Sequence, residues 1–335
     1  MEFDKSRVYT ALNADELKIG SKCIFADTIC NLREQVQRKN YEDCISVAWE
    51  PLGFMPVGFA EIEKFPCELL KQKYPAVKNY GDITQYEKWN IGQFDILVGG
   101  TPCQSFSIAG KRGGTADERG ALMYAYLGIV ETYRPSWIIW ENVPGVLSSN
   151  SGYDFTSFLA GLEKCGYGWA YRVLDAQYFG VPQRRRRVFV VGHSDNRTDL
   201  AAKVLFEPES LCGDIAAGSE TQKETTDAIG KGVNYFRRGG NFKYHKDKKA
   251  ATLRSSAASD CFDLVLAREK RYIRRLTPLE CERLQGFLDN YTQIEWRGKP
   301  ADQCPDSLRY KAIGNSMAVP VMRWIGERIK RIKEE

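Results

Sequence analysis

Short apolar runs alternate with stretches of helical period through about the first 192 residues of the chain. The runs that predict strands cover residues 56–61, 94–98, 137–140, 172–174 and 187–192. Helices are predicted over residues 46–52, where Gly53 provides a stop, and over residues 64–73. Strands that alternate with helices are typical of a parallel sheet covered by helices, so the chain is predicted to have an α/β fold.

Residues 195–270 break this alternation, because they are rich in turn-forming Gly and Ser and show no clear helical period. Basic residues alternate with aromatic residues there, at Tyr235, Phe236, Arg237, Arg238, Phe242, Lys243, Tyr244, Lys246, Lys248 and Lys249. Such a mixture suits phosphate contacts and base stacking, and a solvated loop is the alternative. We interpret the stretch as a small, mostly irregular or β second domain.

Two of the predicted strands end in residues that carry chemistry. The strand at 94–98 runs into the turn Gly-Gly-Thr-Pro-Cys-Gln-Ser-Phe-Ser, which places Cys103 just beyond a strand end. The strand at 137–140 is followed by Glu141 and Asn142 and then by a Pro-Gly breaker. Open parallel sheets bind ligands beyond the carboxyl ends of their strands, so these side chains are candidates for one site. A buried structural cysteine and a simple polar loop are the alternatives.

The two strand ends, in this order, resemble those of the DNA cytosine-5 methyltransferase family, of restriction-modification or prophage type. Further blocks similar to those of the family follow in the expected order at residues 81–85, 119–122, 183–189, 275–281 and 314–320. The resemblance covers about residues 46–329. It implies a Rossmann-like, S-adenosylmethionine-dependent methyltransferase fold. The implied parts are an atypical leader at 1–45, a catalytic domain at 46–194 and 271–335, and a target-recognition domain at 195–270.

The resemblance implies methyl transfer from S-adenosylmethionine to carbon 5 of cytosine in specific sequences of double-stranded DNA. Carbon 5 is a poor nucleophile, so the thiolate of Cys103 would first add to carbon 6 of the ring. The cytosine would have to swing out of the base stack to be reached. By resemblance, Glu141 holds ring nitrogen 3 and the exocyclic amine, Arg187 holds the ring oxygen, and Arg185 is its companion. Strand alternation places the two arginines on one face, and a charged edge strand is the alternative.

Cofactor and DNA contacts are also implied by the resemblance. Glu61 would hold the ribose, Ile62 would pack on adenine and Asp82 would accept from the adenine amine, although Asp82 as a helix cap is the alternative. The remaining implied cofactor positions are Ile83, Pro102, Leu122, Asn315 and Ser316. The implied DNA contacts come from the turn and loop after the cysteine and from the second domain, at Gln104, Ser107, Lys111, Arg112, Arg237, Arg238 and Lys243.

The family's first block, a strand that leads into a Phe-x-Gly-x-Gly loop, has no match before residue 46. Its glycines let the backbone approach the methionine part of the cofactor, and side chains in their place would occupy that space. Residues 22–27 are a candidate substitute strand, with residues 28–37 as its helix. Two alternatives therefore stand beside an active DNA methyltransferase: a DNA-binding homologue that has lost methyl transfer, and an RNA cytosine-5 methyltransferase.

The composition limits the class of protein, with 43% hydrophobic and 27% charged residues in a chain of 335, as in globular proteins. No apolar run approaches the ~20 residues that cross a bilayer, and no signal-peptide core is found, so a cytoplasmic location is expected. The ten cysteines lack close pairs and only two histidines are present, which predicts neither a zinc site nor disulfides. No heptad run suggests a dimer seam, so a monomer is expected.

Overall fold

A six-stranded sheet organises the chain in the computed structural model, which describes residues 21–26, 44–100, 121–206, 235–238, 244–247, 250, 253, 264–267 and 272–334. Its strands are β1 (Ser21–Ala26), β2 (Phe54–Ala60), β3 (Ile96–Gly100), β4 (Trp137–Asn142), β5 (Gly168–Asp175) and β6 (Arg186–His193). Their order across the sheet is β2-β1-β3-β4-β6-β5. The first four strands of this order run parallel, whereas β6 is antiparallel to both β4 and β5. The predicted α/β class is confirmed.

Strand β1 lies inside the parallel part of the sheet. Phe25 pairs with Phe59 of β2 on one side and with Val98 of β3 on the other. Its sequence, Ser-Lys-Cys-Ile-Phe-Ala, is apolar at the end that pairs on both sides. The prediction of a substitute strand at residues 22–27 is therefore confirmed, one residue earlier than expected. The helix predicted at residues 28–37 lies outside the described residues.

Helices cover both faces of the sheet. Side chains alternate between the two faces along each strand, so they pack in two separate core clusters. Ile96 and Val98 pack in the first cluster, whereas Leu97 between them packs in the second. The first cluster includes residues of α1 (Cys44–Trp49), α2 (Lys64–Lys73), α5 (Thr198–Leu205) and α8 (Val319–Glu334). The second includes residues of α3 (Ala121–Tyr133) and α4 (Tyr153–Lys164). The result is a three-layer arrangement with the sheet in the middle.

Helix α1 and the turn after it confirm the helix predicted at residues 46–52. A short 3-10 turn, Glu50–Leu52, extends α1 and ends at Gly53, whose φ of 91° lies in the left-handed region. Glycine adopts this conformation without a steric penalty, which is why the stop was readable in the sequence. Trp49 is buried and donates from Nε1 to the carbonyl oxygen of Met322 at 2.6 Å, which joins α1 to α8.

The stretch at residues 195–270 contains a helix that the pattern did not predict. Helix α5 buries Ala201, Val204 and Leu205 in the first core cluster. The expectation of no helical period was wrong here because about two turns of helix are too short to show one. Four more strands form a second, antiparallel sheet with the order β10-β9-β7-β8: β7 (Tyr235–Arg238), β8 (Tyr244–Asp247), β9 (Leu264–Ala267) and β10 (Tyr272–Arg275). The β character is confirmed, and the domain boundaries stay a prediction.

Helices α6 (Pro278–Gln285) and α7 (Asp306–Asn315) complete the described fold. Helix α6 begins with a capping box, in which the side chains of Thr277 and Glu280 each accept from the backbone N–H of the other. Farther along, the buried carboxylate of Glu282 accepts from the backbone N–H of Thr292 at 2.9 Å and from Nη2 of Arg309 at 3.2 Å. These bonds fix α6 against α7, which ends in the Gly-Asn-Ser block.

Candidate active site

The ends of β3 and β4 lie side by side at one edge of the sheet. Gly100, the last residue of β3, is in register with Glu141 of β4. The chain therefore leaves β3 beside the carboxylate that the sequence singled out, and Cys103 follows three residues later. The described part of the chain stops at Gly100 and resumes at residue 121. Six predicted site residues lie in this gap: Pro102, Cys103, Gln104, Ser107, Lys111 and Arg112.

A buried ion pair joins Glu141 to Arg187. Nε of Arg187 lies 2.9 Å from Oε1 of Glu141, and the two side chains are 12% and 0% exposed. The register explains the contact, because Glu141 pairs with Phe189 of β6 and Arg187, two residues away, projects from the same face. The pair sets a carboxylate acceptor beside guanidinium donors. This combination complements a planar ring that carries amine hydrogens next to a carbonyl oxygen.

Arg185 is also buried, but its guanidinium binds backbone carbonyls. Nη2 donates to the carbonyl oxygen of Ser316 at 2.7 Å and to that of Gly314 at 3.3 Å, and Nη1 donates to that of Leu253 at 3.2 Å. Its backbone N–H donates to Oδ1 of Asp175 at 2.9 Å. The structure thus brings Arg187 to Glu141 and brings Arg185 to the Gly-Asn-Ser block between α7 and α8.

Gln183 and Gln285 extend this contact into a buried amide network that the sequence analysis missed. Nε2 of Gln183 donates to the carbonyl oxygen of Leu284 at 2.9 Å and to Oε1 of Gln285 at 2.8 Å. Nε2 of Gln285 in turn donates to the carbonyl oxygen of Ser316 at 2.6 Å. Gln183 directly precedes the four arginines of the block at residues 183–189, and this position could have identified it as a candidate site residue. For Gln285 no comparable signal exists, because α6 contains other polar residues.

The end of β2 carries Glu61, whose carboxylate is buried. Its Oε1 accepts from the backbone N–H of Glu63 at 2.5 Å. Asn79, another residue that the sequence did not single out, holds the backbone of Glu61 from both sides: its Oδ1 accepts from the N–H at 2.9 Å and its Nδ2 donates to the carbonyl oxygen at 2.8 Å. The same Oδ1 accepts from the N–H of Gly81 at 3.1 Å. Asn79 therefore fixes the spacing between Glu61 and the turn that contains Asp82, while Ile62 beside Glu61 is half-buried.

Asp82 caps the short 3-10 helix that follows it, as the alternative interpretation expected. Its Oδ1 accepts from the backbone N–H of Thr84 at 2.9 Å and from the Thr84 hydroxyl at 2.8 Å. Oδ2 accepts no hydrogen bond from any described residue, so capping leaves one acceptor for a ligand. Ile83 and Leu122 are both buried in the second core cluster. Their neighbourhood is apolar.

The block between α7 and α8 presents a buried amide donor. Nδ2 of Asn315 has no hydrogen-bond partner among the described residues, and the residue is 2% exposed. A buried N–H without an acceptor is costly, so this position suits a ligand oxygen. Ser316 differs, because its hydroxyl donates to the carbonyl oxygen of Ile313 at 2.8 Å and accepts from Gln285 at 3.1 Å. Its side chain is used within the protein.

Two of the predicted DNA contacts of the second domain fall on a strand. Arg237 and Arg238 are in β7 and pair with positions 245 and 244 of β8. Lys243 lies outside the described residues.

Comparison with solved structures gives the fold. The chain is similar to the S. pombe Dnmt2 methyltransferase, with a TM-score of 0.64 at 14% identity over 93% of this chain and 99% of that one. It is also similar to the Entamoeba histolytica methyltransferase EhMeth, with a TM-score of 0.59 at 15% identity over 94% and 99% of the two chains. At these identities the likeness concerns the fold alone, and the fold is that of Rossmann-like methyltransferases.

The sequence comparison then gives the family. Residues 41–331 match the model described as C-5 cytosine-specific DNA methylase, and the chain belongs to this family. It is 30% identical to the type II methyltransferase M.NlaX of Neisseria lactamica, over 81% of this chain and 87% of that protein. It is 35% identical to a phage P1 protein named DNA N-6-adenine-methyltransferase, over 86% of this chain. The chain spans about 60% of that relative's length.

Two further features bear on ligands and location. Among the described residues, no His, Cys, Asp and Glu side chains gather in a group of three or more that could hold a metal ion. Each helix within the described ranges is too short or too polar to cross a bilayer.

Proposed function

We propose that this protein methylates carbon 5 of cytosine in double-stranded DNA, through a covalent cysteine adduct on a flipped-out base. Membership of the cytosine-5 methylase family supports methyl transfer to cytosine. The observation that carries the proposal is the buried pair of Glu141 and Arg187 at the end of β4, beside the end of β3. A carboxylate and a guanidinium that complement a pyrimidine edge thus lie beside Gly100, which precedes Cys103 by three residues in the chain.

The proposed chemistry assigns one task to each residue. The Cys103 thiolate forms a bond to carbon 6, which places negative charge on the ring and makes carbon 5 nucleophilic. A proton shared between Glu141 and ring nitrogen 3 stabilises that charge, and Arg187 orients the carboxylate and faces the ring oxygen. Carbon 5 then bonds to the methyl group, its proton is lost to water, and cleavage of the carbon–sulfur bond releases the methylated base and restores the Cys103 thiolate.

S-adenosylmethionine would supply the methyl group as an electrophile, and the residues at the sheet edge fit it. Glu61 presents a buried carboxylate for the ribose hydroxyls, and Asp82 retains Oδ2 as an acceptor for the adenine amine. Asn315 would offer its buried amide donor to an oxygen of the methionine carboxylate. Ile62 would pack against the adenine ring, with Pro102, Ile83 and Leu122 as apolar residues around it.

Arg185 is proposed as a positioning residue. Its bonds to the carbonyl oxygens of Gly314 and Ser316 hold the backbone on both sides of Asn315. The Asn315 amide therefore has a fixed place relative to the arginine block that carries Arg187. The sequence suggested that both arginines contact the base, and these bonds favour that role for Arg187 alone.

The experiment measures transfer of labelled methyl groups from S-adenosylmethionine to mixed-sequence duplex DNA, followed by nucleoside analysis of the digested product. Wild type is expected to give 5-methylcytosine, and Cys103→Ser and Glu141→Gln to give none. Cys165→Ser is the matched control, because Cys165 is a half-buried cysteine on another part of the fold. Activity that survives Cys103→Ser would contradict the covalent mechanism.

The same assay separates the alternatives. If this protein instead had the adenine-methylating activity that the name of the phage P1 relative states, the digest would contain N6-methyladenine. An RNA methyltransferase would label transfer RNA in preference to duplex DNA. A homologue without activity would bind DNA, yet its thermal unfolding temperature would not rise with S-adenosylmethionine. The monomeric state and cytoplasmic location remain predictions.

A further inference from the structure

A basic groove lies beside the arginine block, along the β5 edge of the sheet. Its volume is about 390 Å³, and it runs along β5 and the short helix after it. Its polar walls come from Arg172, Asp175, Gln177, Tyr178, Arg184 and Arg186. Three arginines and one carboxylate therefore line the groove, and we name these six residues the β5 groove.

The single carboxylate of the β5 groove is turned toward amide hydrogens. Oδ1 of Asp175 accepts from the N–H of Arg185 at 2.9 Å, and Oδ2 accepts from Nε2 of Gln177 at 2.6 Å. Arg172 is held at the rim by a bond from Nη1 to the carbonyl oxygen of Leu205 at 2.8 Å. The guanidinium of Arg186 makes no hydrogen bond or ion pair with any described residue, and Arg186 is exposed. The groove thus has excess positive charge and at least one available fork of donors.

The position of the groove relates it to the candidate active site and to the segment that carries the second sheet. The four consecutive arginines divide between two surfaces: Arg185 and Arg187 are directed to the candidate active site, whereas Arg184 and Arg186 are exposed and line the groove. The backbone N–H of Arg184 also donates to the carbonyl oxygen of Ala250 at 2.9 Å, which joins this segment to the stretch that carries the second sheet.

We propose that the β5 groove binds backbone phosphates of the DNA duplex outside the target base pair. The proposal rests on the proposed function, because it takes duplex DNA as the substrate. Guanidinium forks bind phosphate oxygens in a bidentate manner, and the exposed hydroxyl of Tyr178 adds a further donor. Phosphate contacts of this kind position a protein on DNA without reading its sequence. The groove would therefore contribute affinity and orientation.

The test compares Arg184→Ala/Arg186→Ala with wild type and with Arg323→Ala, which removes an exposed arginine from α8. Affinity for a mixed-sequence duplex is measured by fluorescence anisotropy at several salt concentrations. Each lost phosphate contact should lower the slope of log K against log salt by about 0.9, and should weaken binding about eightfold at ~0.1 M salt. Arg186→Lys should retain part of the affinity, because lysine keeps the charge and loses the fork. Arg323→Ala should match wild type.

Equal affinity and equal slope for the double variant and Arg323→Ala would overturn the proposal. A second measurement follows the thermal unfolding of wild type and of Arg186→Ala with and without inorganic phosphate. If phosphate stabilises wild type but not Arg186→Ala, and this variant binds DNA with unchanged affinity, the groove binds a small anion and the proposal is overturned. If wild type methylates cytosine but the double variant binds DNA normally, the groove proposal alone fails. If wild type methylates nothing while the double variant binds DNA weakly, the proposed function fails and the groove proposal stands.

Discussion

Replacement of Arg187 by methionine tests the electrostatics of the site most directly. Methionine has similar length and no charge, so the change leaves the Glu141 carboxylate, 0% exposed, without the guanidinium 2.9 Å away. Removal of one partner of a buried ion pair typically costs about 3–5 kcal/mol. Glu141→Gln should cost less, about 1–2 kcal/mol, because Arg187 is 12% exposed and keeps an amide oxygen as acceptor.

The double variant Glu141→Gln/Arg187→Met should recover most of the loss, because neither buried charge is left alone. Urea unfolding followed by tryptophan fluorescence gives each free energy, since the chain has seven tryptophans.

The reasoning would be refuted by an Arg187→Met variant that loses less than about 1 kcal/mol. It would also be refuted by a double variant no more stable than Arg187→Met, since the loss would then come from packing. Both single variants should lose methyl transfer, and a stable but inactive Glu141→Gln would separate the role in catalysis from the role in folding.

Three further predictions concern other parts of the fold. Gly168→Ala should lower the free energy of urea unfolding by about 3 kcal/mol, because the new Cβ would lie 2.3 Å from the backbone nitrogen of Thr198. In the control Gly145→Ala the nearest atom to the new Cβ is 3.8 Å away, so the loss should be under about 1 kcal/mol. Equal losses in the two variants would count against the steric argument. Burial lowers the pKa of His193, so the unfolded state binds the proton more tightly and the free energy of unfolding should fall as the pH drops below about 6.5. His193→Gln should reduce this dependence of stability on pH. An unchanged dependence would mean that other groups cause it. Arg185→Lys should raise KM for S-adenosylmethionine about tenfold, with a smaller change in KM for DNA, and equal changes in the two would contradict its positioning role.

Local signals account for much of what the sequence predicted. The helix predicted at residues 64–73 is α2 with the same bounds, and Gly53 marks the end of the first helix because its backbone needs a left-handed φ. The neighbouring ends of β3 and β4 followed from a general property of parallel sheets, which bring their carboxyl ends to one edge. These features depend on residues close in the chain or on the fold class.

The remaining features depend on contacts between distant segments. Arg185 reaches the carbonyl oxygen of Ser316, which lies 131 positions away, and no local pattern specifies a bond to a backbone carbonyl. Strand alternation grouped Arg185 with Arg187 correctly as inward-facing, but it could not tell a carbonyl partner from a ligand. Asn79 was missed for the same reason, since its amide acts on the backbone of Glu61, which lies 18 residues earlier in the chain, just after β2.

The place of β1 affects how a shorter gene fragment would behave. The family match begins at residue 41, after β1, so a fragment cut at that boundary would lack the strand between β2 and β3. Those two strands would each gain an open edge of unpaired N–H and C=O groups in the middle of the molecule. Open edges of this kind recruit strands from other chains. A fragment that began where the family match begins would therefore be expected to aggregate on expression, because β1 would be missing from the middle of the sheet.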